Sequence, residues 1–253
     1  MQKTALLFLL LIMGLLSCKK KNSTHTFSYS STTSTGGGTT GATLYDGFLS
    51  TRNFTIMHIG GFLQPWPVAQ AYFTSPPVLP GYAPTPTTSI KAGSVYMNGD
   101  SLTYNSTLMY QYYPAGPSLS STAQTWMVNG ANGVPSFTYT NTNLEPTCSG
   151  FSGIPDSVSK SGGFSVTVNN VANLTGGNVV LFDFSTAFFP LIKPIQAGNN
   201  TVVFSPSEIA SVGTGTNAGI AILITNEKAV TLSGKNFLFS RIAHYSKDIK
   251  IKN

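Results

Sequence analysis

The chain has 253 residues, a formal net charge of +6, two cysteines and only 9% charged residues. Average soluble proteins contain about 25% charged residues, and a nucleic-acid-binding surface needs a basic stripe interleaved with aromatic residues, which this sequence lacks. Composition therefore argues against nucleic acid as a partner, and the length allows one or two domains.

The first 17 residues have the pattern of an export signal. Lys3 supplies a short positive end, and residues 5–16 form an apolar run of twelve residues. A membrane-spanning helix needs about 20 apolar residues, whereas the core of a secretory signal needs about 7 to 15. The pattern predicts that residues 1–17 are a signal peptide that is removed after export.

The sequence "LLSC" at residues 15–18 resembles the lipobox of bacterial lipoproteins, although Leu16 stands where a small residue is usual. In that family the cysteine thiol receives a diacylglycerol, the preceding peptide is cut away, and the freed amine is acylated. The resemblance implies that Cys18 is a lipidation site and that its lipid binds a membrane of the bacterial cell envelope, with the outer membrane expected and its face left open. The alternative is an ordinary signal peptide cut after Ser17, which leaves a free thiol.

Residues 18–43 are predicted to be a lipidated, flexible tether. Three lysines follow Cys18, and the chain then runs through "NSTHTFSYSSTTSTGGGTTGAT", which has too few apolar residues to bury. If Cys18 carries lipid, Cys148 has no intramolecular partner, so no disulfide framework is possible. We predict that Cys148 is a half-buried thiol in a linker.

From residue 44 onward the pattern is that of β-strands. In "GSVYMNGDSLTY" apolar residues alternate on both sides of Asn98-Gly99, which predicts a two-residue hairpin pairing about 93–97 with 100–104. Other strand candidates are "TWMVNG", "VPSFTYT", "GFSVTVNN", "NVVLFDFS", "NTVVFSP", "GIAILITN", "AVTLSG" and "KNFLFSRIAHY". Only "SPSEIASV", from Ser205, resembles a helix start, with Ser207 as a possible cap.

These segments predict an all-β fold with two antiparallel β-sandwich domains of the immunoglobulin-like type. Turn residues recur every eight to twelve positions, which is typical of sandwiches, and each half has about seven strand candidates. The stretch "NTNLEPTCSGFSGIP" interrupts the rhythm. We therefore predict one sandwich over residues 44–144 and a second over residues 145–253.

The tether, "GSVYMNG", "WMVNGANGVPSFTY" and the C-terminal "GKNFLFSRIAHYSKDIKI" together resemble a family of uncharacterised bacterial lipoproteins with two β-sandwich domains. This resemblance implies a fold and no activity. The architecture is also similar, more loosely, to surface lipoproteins that hold glycans on tandem sandwich domains.

The sequence predicts no catalytic, cofactor or metal site. His58 and His244 each lie in an alternating strand pattern, with no second histidine or acid at metal-ligand spacing. Asp183 interrupts the apolar run "LFDFS" and is expected to face solvent by strand alternation. The glycines of "GTGTNAG" precede a strand rather than open a helix, so this segment is interpreted as a turn and not a dinucleotide-binding loop.

Aromatic residues near prolines are the candidates for ligand binding. In "QPWPV", Trp66 lies between two prolines, which disfavour a central strand, and Tyr72 and Tyr82 follow in "AYFTSPPVLPGYAPTP". We predict that Trp66, Tyr72 and Tyr82 contact a ligand. The alternative is that these rings cap one open end of the first sandwich. Trp126 shares a strand face with Val128 and is predicted to be core.

The sequence as a whole predicts a lipid-anchored envelope protein that is not an enzyme. We expect it to act as a structural or protein-interaction module, with envelope proteins as partners. The alternative is a surface lipoprotein that binds a glycan or another ligand.

Overall fold

The computed structural model of the chain describes residues 43–57, 63–80, 84–114, 119, 123–183, 191–195, 199–212 and 215–252. Its described part is nearly all β, which confirms the predicted all-β class. Among these residues no helix is long and apolar enough to cross a bilayer.

The strands are β1 Tyr45–Met57, β2 Leu63–Val78, β3 Ser89–Ile90, β4 Val95–Met97, β5 Asp100–Tyr104, β6 Tyr110–Tyr112, β7 Gln124–Val128, β8 Phe137–Asn141, β9 Gly150–Ser152, β10 Ser157–Ser159, β11 Phe164–Asn169, β12 Gly176–Asp183, β13 Leu191–Pro194, β14 Thr201–Phe204, β15 Gly215–Leu232 and β16 Lys235–Lys252. A helix, α1 Pro206–Ala210, follows β14.

The predicted hairpin is confirmed. Asn98 and Gly99 have φ angles of 53° and 91°, which a two-residue type I′ turn requires at both central positions. Met97 lies opposite Asp100 in the resulting register of β4 with β5. Local turn chemistry is therefore sufficient to set this pairing.

The largest sheet joins the two halves of the chain. Its main order is β13-β12-β15-β16-β1-β2-β6-β5-β4-β7-β8. β1 runs parallel to β16, from Gly47 opposite Phe237 to Met57 opposite Lys247, and antiparallel to β2 on its other side. A strand from before the predicted division at residues 144/145 thus pairs with one from after it. The division into two domains stays a prediction, but a continuous sheet crosses it.

Two of the expected strands form one. The sequence predicts separate strands at "GIAILITN" and "AVTLSG", but all of the first segment and the first four residues of the second lie within the 18-residue β15, which pairs with β16 along nearly its whole length. Glu227 and Lys228, which stand between the two segments, are part of this ladder rather than a turn. β15 already begins at Gly215, so the predicted turn "GTGTNAG" is in large part strand.

The N-cap of the short helix α1 lies two residues earlier than predicted. Ser205, not Ser207, is the N-cap: the Oγ atom of Ser205 accepts a hydrogen bond from the backbone N–H of Glu208, and the Glu208 carboxylate accepts one from the N–H of Ser205 at 2.8 Å. Pro206 occupies the first helical turn, where its missing N–H costs nothing. The reciprocal capping box explains why this serine is the cap.

Two apolar cores lie on the same face of the long strands, which we call the inner face. The N-terminal core contains Leu49, Phe73, Trp126, Phe237 and Phe239, among others. Trp126 is fully buried there, and Val128 lies beside it, as predicted. The C-terminal core is built from side chains of the second half of the chain: Val166, Val168, Val179, Leu181, Phe204, Ile209, Ile220, Ile222, Ile249 and Ile251. β16 therefore contributes to both cores.

Candidate functional site

The predicted ligand-binding residues differ in how far the structure describes them. Tyr82, like the predicted lipidation site Cys18, lies outside the described residues. Trp66 lies in β2 opposite Phe54 of β1, and its side chain is outside the described part. Tyr72 is half-buried, and its ring stacks on Phe48 with centroids 4.7 Å apart. Tyr72 lies six positions after Trp66 along the strand, a distance of about 20 Å between backbone positions.

The prolines around Trp66 lie in a strand rather than in a loop. Pro65 and Pro67 pair with Thr55 and Asn53 of β1. On its other side, the pairing of β2 with β6 among described residues covers residues 69–71. Proline is tolerated where a strand has one paired neighbour, because its missing N–H then faces no acceptor. β2 as a whole nevertheless lies between β1 and β6, so the two prolines occupy one end of an interior strand, whereas the sequence disfavours a central strand for them.

The aromatic residue that follows Tyr72 belongs to the core. Phe73 is fully buried, and its ring contacts Tyr110 and Phe237 edge-on. Strand alternation turns Phe73 to the inner face and Tyr72 to the opposite face, which we call the outer face.

His244 is the histidine whose side chain the structure describes, and it is buried on the outer face. His244 packs against the ring of Phe54 with centroids 4.6 Å apart. Burial, and then the nearby charge of Arg52, lowers the pKa of His244 to about 3, so the imidazole is neutral at physiological pH. His58 and the side chain of Asp183 lie outside the described part of the chain. Among described residues, no three His, Cys, Asp or Glu side chains approach as a metal site requires.

Cys148 is half-buried against the C-terminal core, as predicted for a linker thiol. Its thiol shares a hydrogen bond with the hydroxyl of Tyr245. Burial raises the pKa of Cys148 above its ordinary value. The thiol is therefore held protonated, which is the opposite of what an activated nucleophile needs.

A row of polar side chains crosses six adjacent strands on the outer face. Glu227 pairs with Ser240, Ser240 with Ser50, and Ser50 with Gln70. Gln70 pairs in turn with Gln111, and Gln111 with a residue of β5. We call these residues the polar row: Glu227, Ser240, Ser50, Gln70, Gln111 and Thr103. With strands about 4.8 Å apart, the row is about 24 Å long.

Larger side chains flank the middle of the polar row. Two residues along each strand in one direction lie Leu238, Phe48 and Tyr72, which form a small apolar cluster with Tyr45 and Val78. Two residues along in the other direction lie Ile242, Arg52 and Val68. Of these flanking residues, Leu238, Phe48, Ile242 and Val68 are buried, as is Ser240 at the centre of the row.

Several groups of the polar row have unused hydrogen-bonding capacity. Gln111 is 8% exposed, and its Oε1 accepts from Asn105 Nδ2 and from the hydroxyl of Tyr113. Within the described part of the chain, nothing accepts from Gln111 Nε2, and the half-buried side chains of Ser50 and Gln70 form no hydrogen bond.

The acidic end of the polar row is Glu227, and its carboxyl group is partly removed from solvent. Glu227 is half-buried and accepts a hydrogen bond from the hydroxyl of Ser240. Burial raises the pKa of Glu227 above its ordinary value. The Glu227 carboxyl group thus has a structural partner in Ser240.

Sequence analysis missed the polar row, although a weak signal for it exists. Each member stands inside an apolar or aromatic strand, as in "FLSTR", "VAQAY", "MYQYY" and "LFSRI". Alternation alone identifies these residues as facing away from a core. Only the register between strands shows that they lie side by side.

No protein-family model matches this chain, and no curated protein matches it.

Proposed function

We propose that the chain is a lipid-anchored protein of the bacterial cell envelope, held by lipid on Cys18 in the outer membrane, and that it acts as a structural or protein-interaction module without catalysis. The export-signal pattern of residues 1–17, the lipobox-like "LLSC" and the tether over residues 18–43 support the anchor. A lipid of two or more chains holds a protein stably at a membrane, whereas one chain holds it only reversibly.

The observation that carries the absence of catalysis is that the described carboxylates are engaged by structural partners. Glycosidases and other acid-base enzymes need carboxyl groups that face a reacting bond rather than an ion pair or a cap. Six of the seven described carboxylates pair as follows: Asp46 with Lys235, Asp100 with Tyr112, Glu145 with Asn53, Asp156 with Lys247, Glu208 with Lys193 and Ser205, and Glu227 with Ser240. The seventh, Asp248, also has an interaction within the protein.

We further propose that the chain is organised as two immunoglobulin-like β-sandwich domains, over residues 44–144 and 145–253. The two separate apolar cores support this organisation. Because β1 pairs with β16, the two domains would share a continuous sheet rather than be joined by a free linker.

The anchor is tested by replacing Cys18 with serine in the full-length chain expressed in a bacterial host. The wild type should incorporate a labelled fatty acid and enter the detergent phase on phase separation, and the Cys18→Ser variant should do neither. The matched control is Cys148→Ser, which removes the other cysteine and should behave as the wild type. Retention of label and detergent partition by the Cys18→Ser variant would contradict the proposal.

The interaction role is tested by photo-crosslinking in intact cells. Met127 and Val203 are exposed apolar residues on strands and are suitable positions for a crosslinkable side chain. We expect a discrete crosslinked envelope protein from at least one of these surfaces. Uniformly uncrosslinked protein at every exposed position tested would argue against a protein-interaction role.

The second candidate function is binding of a glycan or another ligand, and the polar row is the observation that favours it. Tyr72 flanks the row directly, and Trp66 lies further along the same strand. Ligand contact by Trp66, Tyr72 and Tyr82 remains a proposal.

A further inference from the structure

We propose that the outer face is covered by the chain's own N-terminal part, and that the covering segment is residues 26–42 of the predicted tether. Phe27 and Tyr29 are the aromatic residues of this segment, which lies outside the described residues, and their rings would pack on the apolar side chains of the outer face. The inference goes beyond the proposed anchor. It needs no lipid on Cys18, so the two proposals fail separately.

The side chains of the outer face are too deeply buried for an open sheet face. Val68 is 2% exposed, and Phe48 and Ile242 are each 8% exposed. Apolar side chains on open strand faces of this protein are far more accessible, since Met127 is 39% and Val203 is 59% exposed. An apolar side chain in the middle of a sheet loses its contact with water when a second layer packs on it. A second layer therefore lies over the outer face.

The described elements that form second layers pack on the inner face instead. β4, β5, β7 and β8 enclose the N-terminal core. The three-stranded sheet of β9, β11 and β14, together with α1, packs on the C-terminal core. Both cores lie on the inner face, so none of these elements covers the outer one. The cover therefore comes from a part of the chain outside the described residues.

Contacts at the outer face agree with a cover from elsewhere in the chain. The ring contacts described there are between neighbours in the sheet, as in Phe48 on Tyr72 and His244 on Phe54. Such contacts leave the top of each ring open. Arg52 and Tyr72 each have a further interaction within the protein. The outer face therefore has partners beyond its own strands.

The size of the buried area selects the N-terminal part of the chain. From Phe48 to Phe54 the area is about 20 Å long, and across β15, β16, β1 and β2 it is about 14 Å wide. The longest other segment outside the described part, residues 184–190, has seven residues and joins β12 to β13 at the edge of the sheet. Residues 58–62 connect β1 to β2 beyond one end of the area. Residues 1–42 are long enough to cross it.

The chain enters β1 on the side of the outer face. A register shift between Tyr45 and Gly47 interrupts the pairing of β1 with β2, and a bulge of this kind re-aims a side chain. Tyr45 is consequently buried in the outer-face cluster, with its ring centroid 5.6 Å from that of Phe48. The residues that precede Tyr45 therefore arrive next to the apolar side chains that need a cover.

Within the N-terminal part, residues 26–42 suit this role best. Residues 1–17 are predicted to be removed after export. In "TFSYS", Phe27 and Tyr29 alternate with small polar residues, so an extended backbone places both rings on one side. Sixteen positions separate Tyr29 from Tyr45, and an extended chain of that length spans up to about 55 Å, which exceeds the length of the buried area.

The cover shortens the link between the lipid and the folded part. The sequence predicts a flexible tether over the whole of residues 18–43, whereas the cover leaves only residues 19–25 free. A flexible chain of seven residues has a root-mean-square span of about 15 Å. With lipid on Cys18, the sheet would therefore be held close to the membrane surface.

The test measures how fast a maleimide labels a cysteine on the outer face of the full-length gene product extracted from bacterial membranes. Ser240→Cys places a thiol at a buried position of that face. Thr138→Cys, on the exposed face of β8, is the accessible reference. Native Cys148, which packs against the C-terminal core, reports general loosening of the fold. Peptide mapping assigns each label to its residue.

Removal of the two rings should open the outer face. In a chain with the native tether, the thiol of Ser240→Cys should react at least about tenfold more slowly than that of Thr138→Cys, because labelling requires local opening. Phe27→Ser combined with Tyr29→Ser should raise the rate at position 240 about tenfold and leave Cys148 unchanged. The matched control, Ser28→Ala with Ser30→Ala, changes the alternate positions of the same segment and should keep the slow rate.

A second measurement needs no loss of the rings. A photo-crosslinking phenylalanine analogue in place of Tyr29 should form a crosslink within the same chain to peptides of β1, β2 or β16. The same analogue in place of Ser23, in the part that stays free, should not. This measurement decides the question if the double serine variant raises the rate at Cys148 as well.

Three results would overturn the proposal. Fast labelling of Ser240→Cys in a chain with the native tether would show that the extracted protein leaves this face open. Slow labelling that persists without the rings of Phe27 and Tyr29 would show that another part of the chain is the cover. A crosslinker at position 29 that never reaches β1, β2 or β16 would place the segment elsewhere.

Discussion

Arg241 Nη1 donates a 2.7 Å hydrogen bond to the backbone carbonyl of Asn143. Arg241 lies in β16 between the residues that fill the N-terminal core and those that fill the C-terminal core, and it is 2% exposed. In the amide orientation that satisfies its neighbours, Gln124 Oε1 accepts from Arg241 Nε at 3.3 Å and Nη2 at 3.2 Å, while Gln124 Nε2 donates to Thr51. The buried side chains of Arg241, Gln124 and Thr51 thus lie between the two cores, and we call them the polar hub.

Truncation of this hub should destabilise the protein strongly. Arg241→Ala leaves the Asn143 carbonyl and the Gln124 amide without their donor, and each buried unsatisfied group costs about 1 to 3 kcal/mol. Denaturant unfolding should show the loss. Lys228→Ala, which removes an exposed cation from the neighbouring β15, should change stability by less than about 0.5 kcal/mol. Equal stability of the two variants would mean that the hub does not hold the junction.

The buried histidine should make the protein acid-sensitive. The pKa of His244 is about 3 in the folded protein against 6.5 when unfolded, so the unfolded state binds the proton more readily. Stability from this group is fully present above pH 6.5 and is lost as the pH falls toward 3, at up to about 1.4 kcal/mol per pH unit. His244→Leu should flatten the free energy of unfolding between pH 6.5 and 5.

The control for this titration is His25→Leu, in the predicted tether, which should keep the wild-type pH dependence. Glu208, whose pKa is lowered to about 2, loses its contribution only below pH 4.5, outside the window measured. An unchanged slope in the His244→Leu variant would show that His244 is solvated or finds a proton acceptor.

Cleavage between the two halves should not separate them. A site-specific protease sequence inserted between Ser149 and Gly150 allows the chain to be cut within the segment that interrupts the strand rhythm. Because β1 pairs with β16 and because Phe237 and Phe239 fill the N-terminal core, the fragments should co-elute on native size-exclusion chromatography. The same insertion in the predicted tether controls for protease access. Two separately eluting, folded fragments would instead show independent domains.

The two tryptophans should respond differently to truncation. Trp126 is fully buried, so Trp126→Ala should cost about 3 to 5 kcal/mol of stability. If Trp66 contacts a ligand, Trp66→Ala should cost less than about 1 kcal/mol and weaken oligosaccharide binding. Chemical unfolding monitored by the remaining tryptophan measures both. A loss for Trp66→Ala as large as that for Trp126→Ala would place Trp66 in a core and contradict its predicted role.

Features set by neighbouring residues could be predicted from the sequence. The Asn98-Gly99 hairpin follows from the positive φ that its turn needs, and burial of Trp126 follows from alternation in β7. The helix at α1 was also predicted, but its cap was assigned to Ser207. A serine followed by proline and, three residues on, by glutamate identifies Ser205, so the information was present in the sequence.

Features set by distant residues could not be predicted. The register of β1 with β16 joins residues 190 positions apart, and no local pattern specifies which strands become neighbours. The same reason hides the polar row, since Ser50 and Ser240 are ordinary strand serines until they are paired. The expected break between "GIAILITN" and "AVTLSG" failed because pairing with β16 overrides the local polarity of Asn226 and Glu227.

The central claim, a lipid-anchored envelope protein, is tested most directly by the intact mass of the mature protein extracted from bacterial membranes. The account predicts a chain that begins at Cys18 and carries the added mass of a diacylglycerol and an amide-linked acyl chain. Fragmentation should locate the whole addition on that first residue. A mature chain with unmodified Cys18, or one that retains residues 1–17, would contradict the account.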